Sequence, residues 1–93
     1  MSSRFKKDPD ATLDYQINWS DWLDTDTISA SSWIVPTGLT EGTGALAGSF
    51  TDTVTTVWLS SGVVATVYSV VNRITTTAGR IDDRTIKITI KEK

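Results

Sequence analysis

The chain has 93 residues, 39% of them hydrophobic and 22% charged, with a formal net charge of −2 and neither cysteine nor histidine. That size supports one domain with a single core, while the two absences exclude disulfides and remove the commonest metal ligands and the commonest general base. No run approaches the ~18 apolar residues of a membrane span, and MSSRFKKDPDAT lacks the apolar segment of an export signal, so a soluble protein without such a signal is expected.

Thr, Val and Ile supply 32 of the 93 residues. These β-branched side chains are stiff at χ1 and fit a pleated surface better than a helix. In chain order, residues 1–10 are polar and read as an N-terminal arm, mobile or extended until something docks it. Residues 11–93 read as the folded domain. A first strand is predicted over 13–19, where Leu13, Tyr15, Ile17 and Trp19 alternate. The next covers 27–35. It starts in register at Ile28 and Ala30 and shifts to Trp33 and Val35, which suggests a β-bulge near Ser31 and Ser32. PTGLTEGTGALAG is glycine-rich and reads as a loop, with a weak strand over 45–51. A strand over 53–60 points Val57 and Leu59 one way and Trp58 the other. Another over 65–76 puts Tyr68, Val70 and Ile74 on one side, with Val67, Val71 and Arg73 opposite. TTAGRIDD, with Gly79, reads as a hairpin connection. The last strand, 80–91, alternates Ile86, Ile88 and Ile90 with Lys87, Thr89 and Lys91, so one face meets the core. Six or seven strands of this kind predict an all-β, antiparallel sandwich.

Charge divides along the chain. Residues 8–52 contain eight acids and no Lys or Arg, whereas residues 53–93 contain six bases and three acids. An acidic side and a basic side are expected, either as two ordinary solvated faces or as complementary contact between neighbouring copies in a ring or stack. Nucleic acid is a poor partner at this net charge.

The polar clusters favour turns over chemistry. Asp21, Asp24 and Asp26 lack the turn glycine and terminal Glu of a helix–loop–helix calcium site, and Asp readily bonds nearby backbone amides. Asp82 and Asp83 are adjacent on a strand and point to opposite faces, so they do not form a facing carboxylate pair. They are expected to be solvated or paired with Arg80 and Arg84. The serines and threonines have no histidine to activate them, and the glycine-rich loop has no GK[ST]. No catalytic residue, metal ligand or cofactor is assigned.

LSSGVVATVYSVVNRITTTAGRIDDRTIKITI resembles the last three strands of an immunoglobulin- or fibronectin-III-like sandwich. The spacing from Gly62 to Tyr68 suits a tyrosine corner, in which the phenol bonds a backbone group upstream. Across residues 6–91, the segments DPD, LDY, WSDWL, DTI, W, VP, GLT, VWLS, NRI, GR and DR, in that order, resemble the phage fiber-tail adaptor family. EGTGALAGSFTD departs from that pattern as a longer loop. The resemblance implies an immunoglobulin-like virion protein, made in the host cytoplasm, that joins fibers or appendages to the tail or neck of a tailed bacteriophage. It further implies a structural protein and not an enzyme. The expected partners are tail, neck or fiber proteins and further copies in a ring, with neither nucleic acid nor membrane. The alternative is a carbohydrate-binding β-sandwich module, because exposed tryptophans on such folds can stack sugars.

Trp33 and Trp19 are expected in the core, with Tyr68 and the isoleucines of the last strand. Trp22 falls outside the alternation, and Trp58 faces away from Val57 and Leu59. Trp is enriched at binding hot spots. These two indoles, together with the charges Arg73, Arg80, Asp82 and Arg84, are the candidate interface residues.

Overall fold

The computed structural model describes residues 2–91, with side chains from residue 5 onward. Eight strands form: β1 (Ser2–Lys7), β2 (Leu13–Asn18), β3 (Ile28–Ile34), β4 (Leu39–Glu41), β5 (Ser49–Phe50), β6 (Val54–Ser61), β7 (Val67–Thr76) and β8 (Ile81–Ile90). A single helical turn, α1 (Ser20–Leu23), follows β2. One sheet has the order β1-β8-β7-β3. The second has the order β2-β6-β4, with β5 also pairing to β6. The two sheets pack as a sandwich, so the all-β reading holds.

Period-two alternation sets what lies between the sheets. Tyr68, Val70 and Ile74 from β7 and Ile86, Ile88 and Ile90 from β8 are buried against Tyr15 and Ile17 of β2 and Val57 and Leu59 of β6. Each aliphatic side chain removed from water in this way contributes about 1.5–3 kcal/mol. The hydroxyl of Tyr68 accepts a hydrogen bond from the Val63 amide at 3.1 Å, making the tyrosine corner. Gly38 lies against that ring with φ +110°, and a Cβ there would stand 2.6 Å from the phenol oxygen. Only glycine combines that backbone angle with that approach.

The structure corrects several expectations. There are eight strands, because the N-terminal residues add β1 and the glycine-rich segment adds β4. The segment 45–51 is not one strand: Gly44–Leu46 forms a 3-10 turn and only Ser49–Phe50 pairs with β6. Its glycines weaken strand formation, and no neighbour beyond β6 holds it extended. The bulge lies at Ser29, between Ile28 and Ala30, not at Ser31 and Ser32. The Ser29 hydroxyl bonds the Thr75 carbonyl at 3.0 Å across the irregularity. Ala30 is therefore already on the outer face, and Ser31 and Trp33 turn inward. Trp33 is half-buried and packs at the margin of the core, because β3 is an edge strand. Within the otherwise antiparallel sheets, β1 runs parallel to β8, from Ser2 opposite Thr85 to Lys7 opposite Ile90.

Four polar residues, Lys7, Thr55, Asn72 and Thr76, are buried where alternation leads to apolar ones, and Asn72 and Lys7 carry the largest polar groups inward. Asn72 lies on the inner face of β7 with no exposed surface. Its Oδ1 accepts from Trp19 Nε1 at 3.1 Å and from the Thr55 hydroxyl at 2.7 Å. Its Nδ2 donates to the Ser31 hydroxyl and the Ser32 carbonyl, both at 2.9 Å. Lys7 is 2% exposed, and its ammonium donates to the carbonyls of Asp8 at 2.8 Å and Ser61 at 2.7 Å. Burial lowers its pKa from the ordinary lysine value.

Two outcomes follow from this packing. Ile88→Ala should lower unfolding stability by about 2–5 kcal/mol in denaturant titration, through lost transfer energy and a cavity. Asn72→Ala should cost about 1–3 kcal/mol although it removes no hydrocarbon contact of comparable size, because the Trp19 indole and Thr55 hydroxyl lose a buried partner. An Asn72→Ala protein as stable as the wild type would show that these bonds contribute nothing.

Candidate functional site

The end of the sandwich where β2 gives way to α1 gathers most of the candidate residues. Asn18 closes β2, and its Oδ1 accepts from the Ser20 amide at 2.9 Å, which starts the turn. Asp24 ends it at a positive φ of 59°. Between them the chain turns Trp19 and Leu23 into the core, at 0% and 1% exposure. Trp22 stays half-buried and meets Trp19 edge to face, with centroids 5.6 Å apart and planes at 70°.

Two arginines extend this aromatic pair. The guanidinium of Arg80, from the β7–β8 turn, lies 4.3 Å from the Trp22 ring centre. It also donates through Nε to Asp26 Oδ2 at 3.1 Å and through Nη2 to the Leu23 carbonyl at 3.0 Å. The guanidinium of Arg84 lies 4.3 Å from the Trp19 ring centre and donates to the Asn18 carbonyl at 3.0 Å. The order is Arg84, Trp19, Trp22, Arg80, with each cation over an electron-rich ring face. Arg84 and Asp82 lie on the inner side of β8 because they share its alternation with Ile86, Ile88 and Ile90, and among the described residues β1 pairs with β8 only from Thr85 onward, which leaves this half of β8 with a free edge. Inward-pointing charges are a common way of protecting such an edge. Asp82 is half-buried between the two arginines in sequence.

The other two candidates lie elsewhere. Arg73 is on the outer face of the first sheet, directly opposite Asp83. The pair is bidentate, at 2.8 and 3.0 Å, and the bonds to Arg73 hold the Asp83 carboxyl below the usual range. Asp83 therefore pairs across the strands with Arg73, not with Arg80 or Arg84 along the chain. Arg80 and Arg84 have other partners on the opposite side of β8. Trp58 is half-buried on the outer face of the second sheet, opposite Asp14 in register, and its carbonyl accepts from the Gly42 amide at 2.8 Å.

Sequence reading passes over Asn72 and Lys7. Asn72 does leave a signal, as the one polar member of the inward set between Val70 and Ile74. Asp26 makes the expected turn bond to a nearby amide, that of Thr27, but its bonds to Ala78 and Arg80 come from the distant hairpin. Its side chain is 9% exposed. One oxygen accepts from the amides of Thr27 at 2.9 Å and Ala78 at 3.2 Å. Bonding to the Thr76 hydroxyl is the largest influence on its pKa. Burial opposes it, and the two amides and Arg80 add to it, so that the carboxyl is held at about 2.

These groups satisfy one another, and none is arranged as a nucleophile with a base. Among the described residues, no group of three or more His, Cys, Asp or Glu side chains is placed to hold a metal ion. No described helix is long and apolar enough to cross a membrane. A depression of about 440 Å³, lined by Leu23, Asp24, Thr25, Asp26, Ala78 and Arg80, opens beside the clamp that the two indoles and two arginines form at α1. A second, of about 150 Å³, lies between the β3 edge and the glycine-rich segment, where Trp33, Glu41 and Phe50 line it.

The pH dependence has a definite sign. An unfolded Asp titrates near ~3.9, and Asp26 is depressed to about 2. The stability it contributes is therefore fully present above about pH 4 and is lost as the pH falls from there toward 2. Asp26→Asn should flatten this acid limb when melting temperature is measured from neutral pH downward. Parallel acid limbs for the two proteins would show that Asp26 is not linked to folding.

A search of curated proteins finds no match. A protein-family model does match, and it spans residues 7–89, from the buried Lys7 to the last turn of the final strand. Those residues include the whole α1 clamp, the Asn72 hydrogen bonds and nearly all of both sheets. The chain belongs to the Gp77 family, described as podophage GP4 fiber-tail adaptor protein gp77.

Proposed function

We propose that the protein is a structural adaptor in the virion of a tailed phage, joining fibers or other appendages to the tail or neck by protein–protein contacts. The observation that carries this reading is the family match over residues 7–89. Two features of the molecule support it. The ends of the sandwich are held rigid by internal hydrogen bonds and ring contacts, while its outer faces remain open. Its connectivity, with β2, β6 and β4 in one sheet and β3, β7 and β8 in the other, supports an immunoglobulin-like assignment. A rigid sandwich with accessible faces suits a part whose work is to fit between other proteins.

In this reading, Trp22 and Trp58 are contact residues, with Arg73, Arg80, Asp82 and Arg84 as charged neighbours. The N-terminal residues add a further surface along the free edge of β1. No bond is made or broken, and several copies act together, so weak single contacts are amplified by multivalency. The carbohydrate-binding reading is less favoured, because Arg80 already occupies a face of the Trp22 ring that a sugar would stack on.

The test is the particle itself. Virions assembled without this chain should lack fibers, by electron microscopy and by protein composition. Particles that keep a full fiber complement without it would overturn the adaptor role. Trp58→Ala should leave the melting temperature of the free protein within a few degrees while lowering its occupancy in virions. Trp22→Ala should lower the melting temperature more, because Trp22 also covers Trp19.

A further inference from the structure

The fold sorts the chain's charge by sheet. The strands of the second sheet, β2, β4, β5 and β6, contain Asp14 and Glu41 and no Lys or Arg. Those of the first contain Arg4, Lys6, Lys7, Arg73, Arg84 and Lys87, against Asp82 and Asp83. Asp83 is paired with Arg73 on the outer face. Lys6 and Lys87 give that face its excess positive charge, and Lys87 donates to a neutral group, the Ser69 hydroxyl, at 3.1 Å.

Each outer face also carries apolar surface. On the first sheet, Ile34 and Val67 are 54% and 52% exposed. Ile34 stands directly opposite Val71 in register, and Val67 lies farther along the same outer face of β7, beyond Ser69. On the second sheet, Trp58 and Val54 lie on the outer side of β6, and Asp14 is opposite Trp58. Ile34 and Val67 are open to solvent, whereas Trp58 and Val54 are half-buried and Gly42 lies against the base of the Trp58 side chain. Apolar surface bordered by lysines faces one way, and apolar surface bordered by an aspartate faces the other.

We infer that these two faces dock on each other between copies: the Ile34–Val67–Val71 face of one copy against the Trp58–Asp14 face of the next. This deepens the adaptor reading and rests on it for where the contact is used. The charges match in the unlike pairing, and two first-sheet faces would bring Lys6 and Lys87 against their own copies. Like-charge juxtaposition disfavours that symmetric alternative. The two patches are on opposite sides of one sandwich. A copy bound through one still presents the other, so the contact is head-to-tail and propagates into a ring or a filament.

The experiment uses the full chain in sedimentation velocity across a concentration series, at low and high salt. Wild type should associate as concentration rises, and more weakly at high salt, because the rim charges are screened. Val67→Asp breaks the first-sheet face, and Trp58→Ser breaks the second. Each should raise the dissociation constant on the order of tenfold while keeping its folded circular dichroism spectrum. The decisive sample mixes the two variants. Each retains one good face, so a head-to-tail contact restores a single pairing and the mixture stops at a heterodimer. Lys87→Glu should weaken association, and adding Asp14→Lys should recover it. A wild type that stays monomeric throughout, or a mixture that recovers no heterodimer, overturns the inference. If the same variants then lose virion occupancy, the occupant of these faces is a different virion protein and the adaptor role stands. That role falls only if particles keep their fibers without the chain.

Discussion

The side chain of Asn72 is the point at which both sheets are fastened. It sits on the inner face of the first sheet, and its hydrogen bonds reach Thr55 on the second sheet, Trp19 at the end of β2, and Ser31 and Ser32 on β3. A buried amide without partners costs several times what one good hydrogen bond contributes. Here all its strong donor and acceptor directions are used, so the amide fixes geometry without an unmet desolvation cost. Hydrophobic burial alone tolerates small slips between two sheets. A network that is satisfied in one arrangement only does not. The position of Trp19 follows from it, and the position of α1 follows from Trp19.

From that anchor the closed end builds outward. Trp19 supports Trp22, the arginines cap the two indoles, and Asp26 ties Arg80 to the backbone of the β7–β8 turn. The individual terms are modest. Cation–ring contacts contribute about 0.5–1 kcal/mol at exposed sites, and exposed ion pairs about as little. Their value lies in convergence, since loops from opposite ends of the sequence are held by shared partners. The opposite end is held by a different device. There the Tyr68 hydroxyl and the buried Lys7 ammonium bind the β6–β7 connection through Val63 and Ser61. Both ends of the sandwich are thus tied internally, although Val63 in the β6–β7 connection and Ile81 at the start of β8 stay exposed there, while Ile34 and Val67 are exposed on the outer face of the first sheet.

Tied ends with accessible faces suit a protein of the fiber-tail adaptor family. Asp26, the described carboxyl held at about 2, has its bonds filled by structural partners. Rigidity with open faces lowers the entropy cost of docking, because little has to be ordered on contact.

The sequence by itself determined the all-β architecture, since alternation in RTIKITIK and TVYSVVNRI assigns core and solvent faces with no tertiary information. It also determined the tyrosine corner and the hairpin at Gly79, because these depend on residues close together in the chain. The segments resembling the adaptor family were legible for the same reason. Only the tertiary structure decided the rest. Lys7 reads as part of a polar arm until β1 lies alongside β8 and brings its ammonium to the Ser61 carbonyl. Trp33 reads as core until β3 proves to be an edge strand with one side uncovered. The shift at Ser29 was visible as a change of phase but was placed two residues late, because alternation marks which residues turn inward and not where the extra residue is absorbed. Asp26, Arg80 and Trp22 become a clamp only when the β7–β8 turn arrives beside α1. In each case the deciding partner is distant in sequence, and local patterning carries no information about which distant group will supply it.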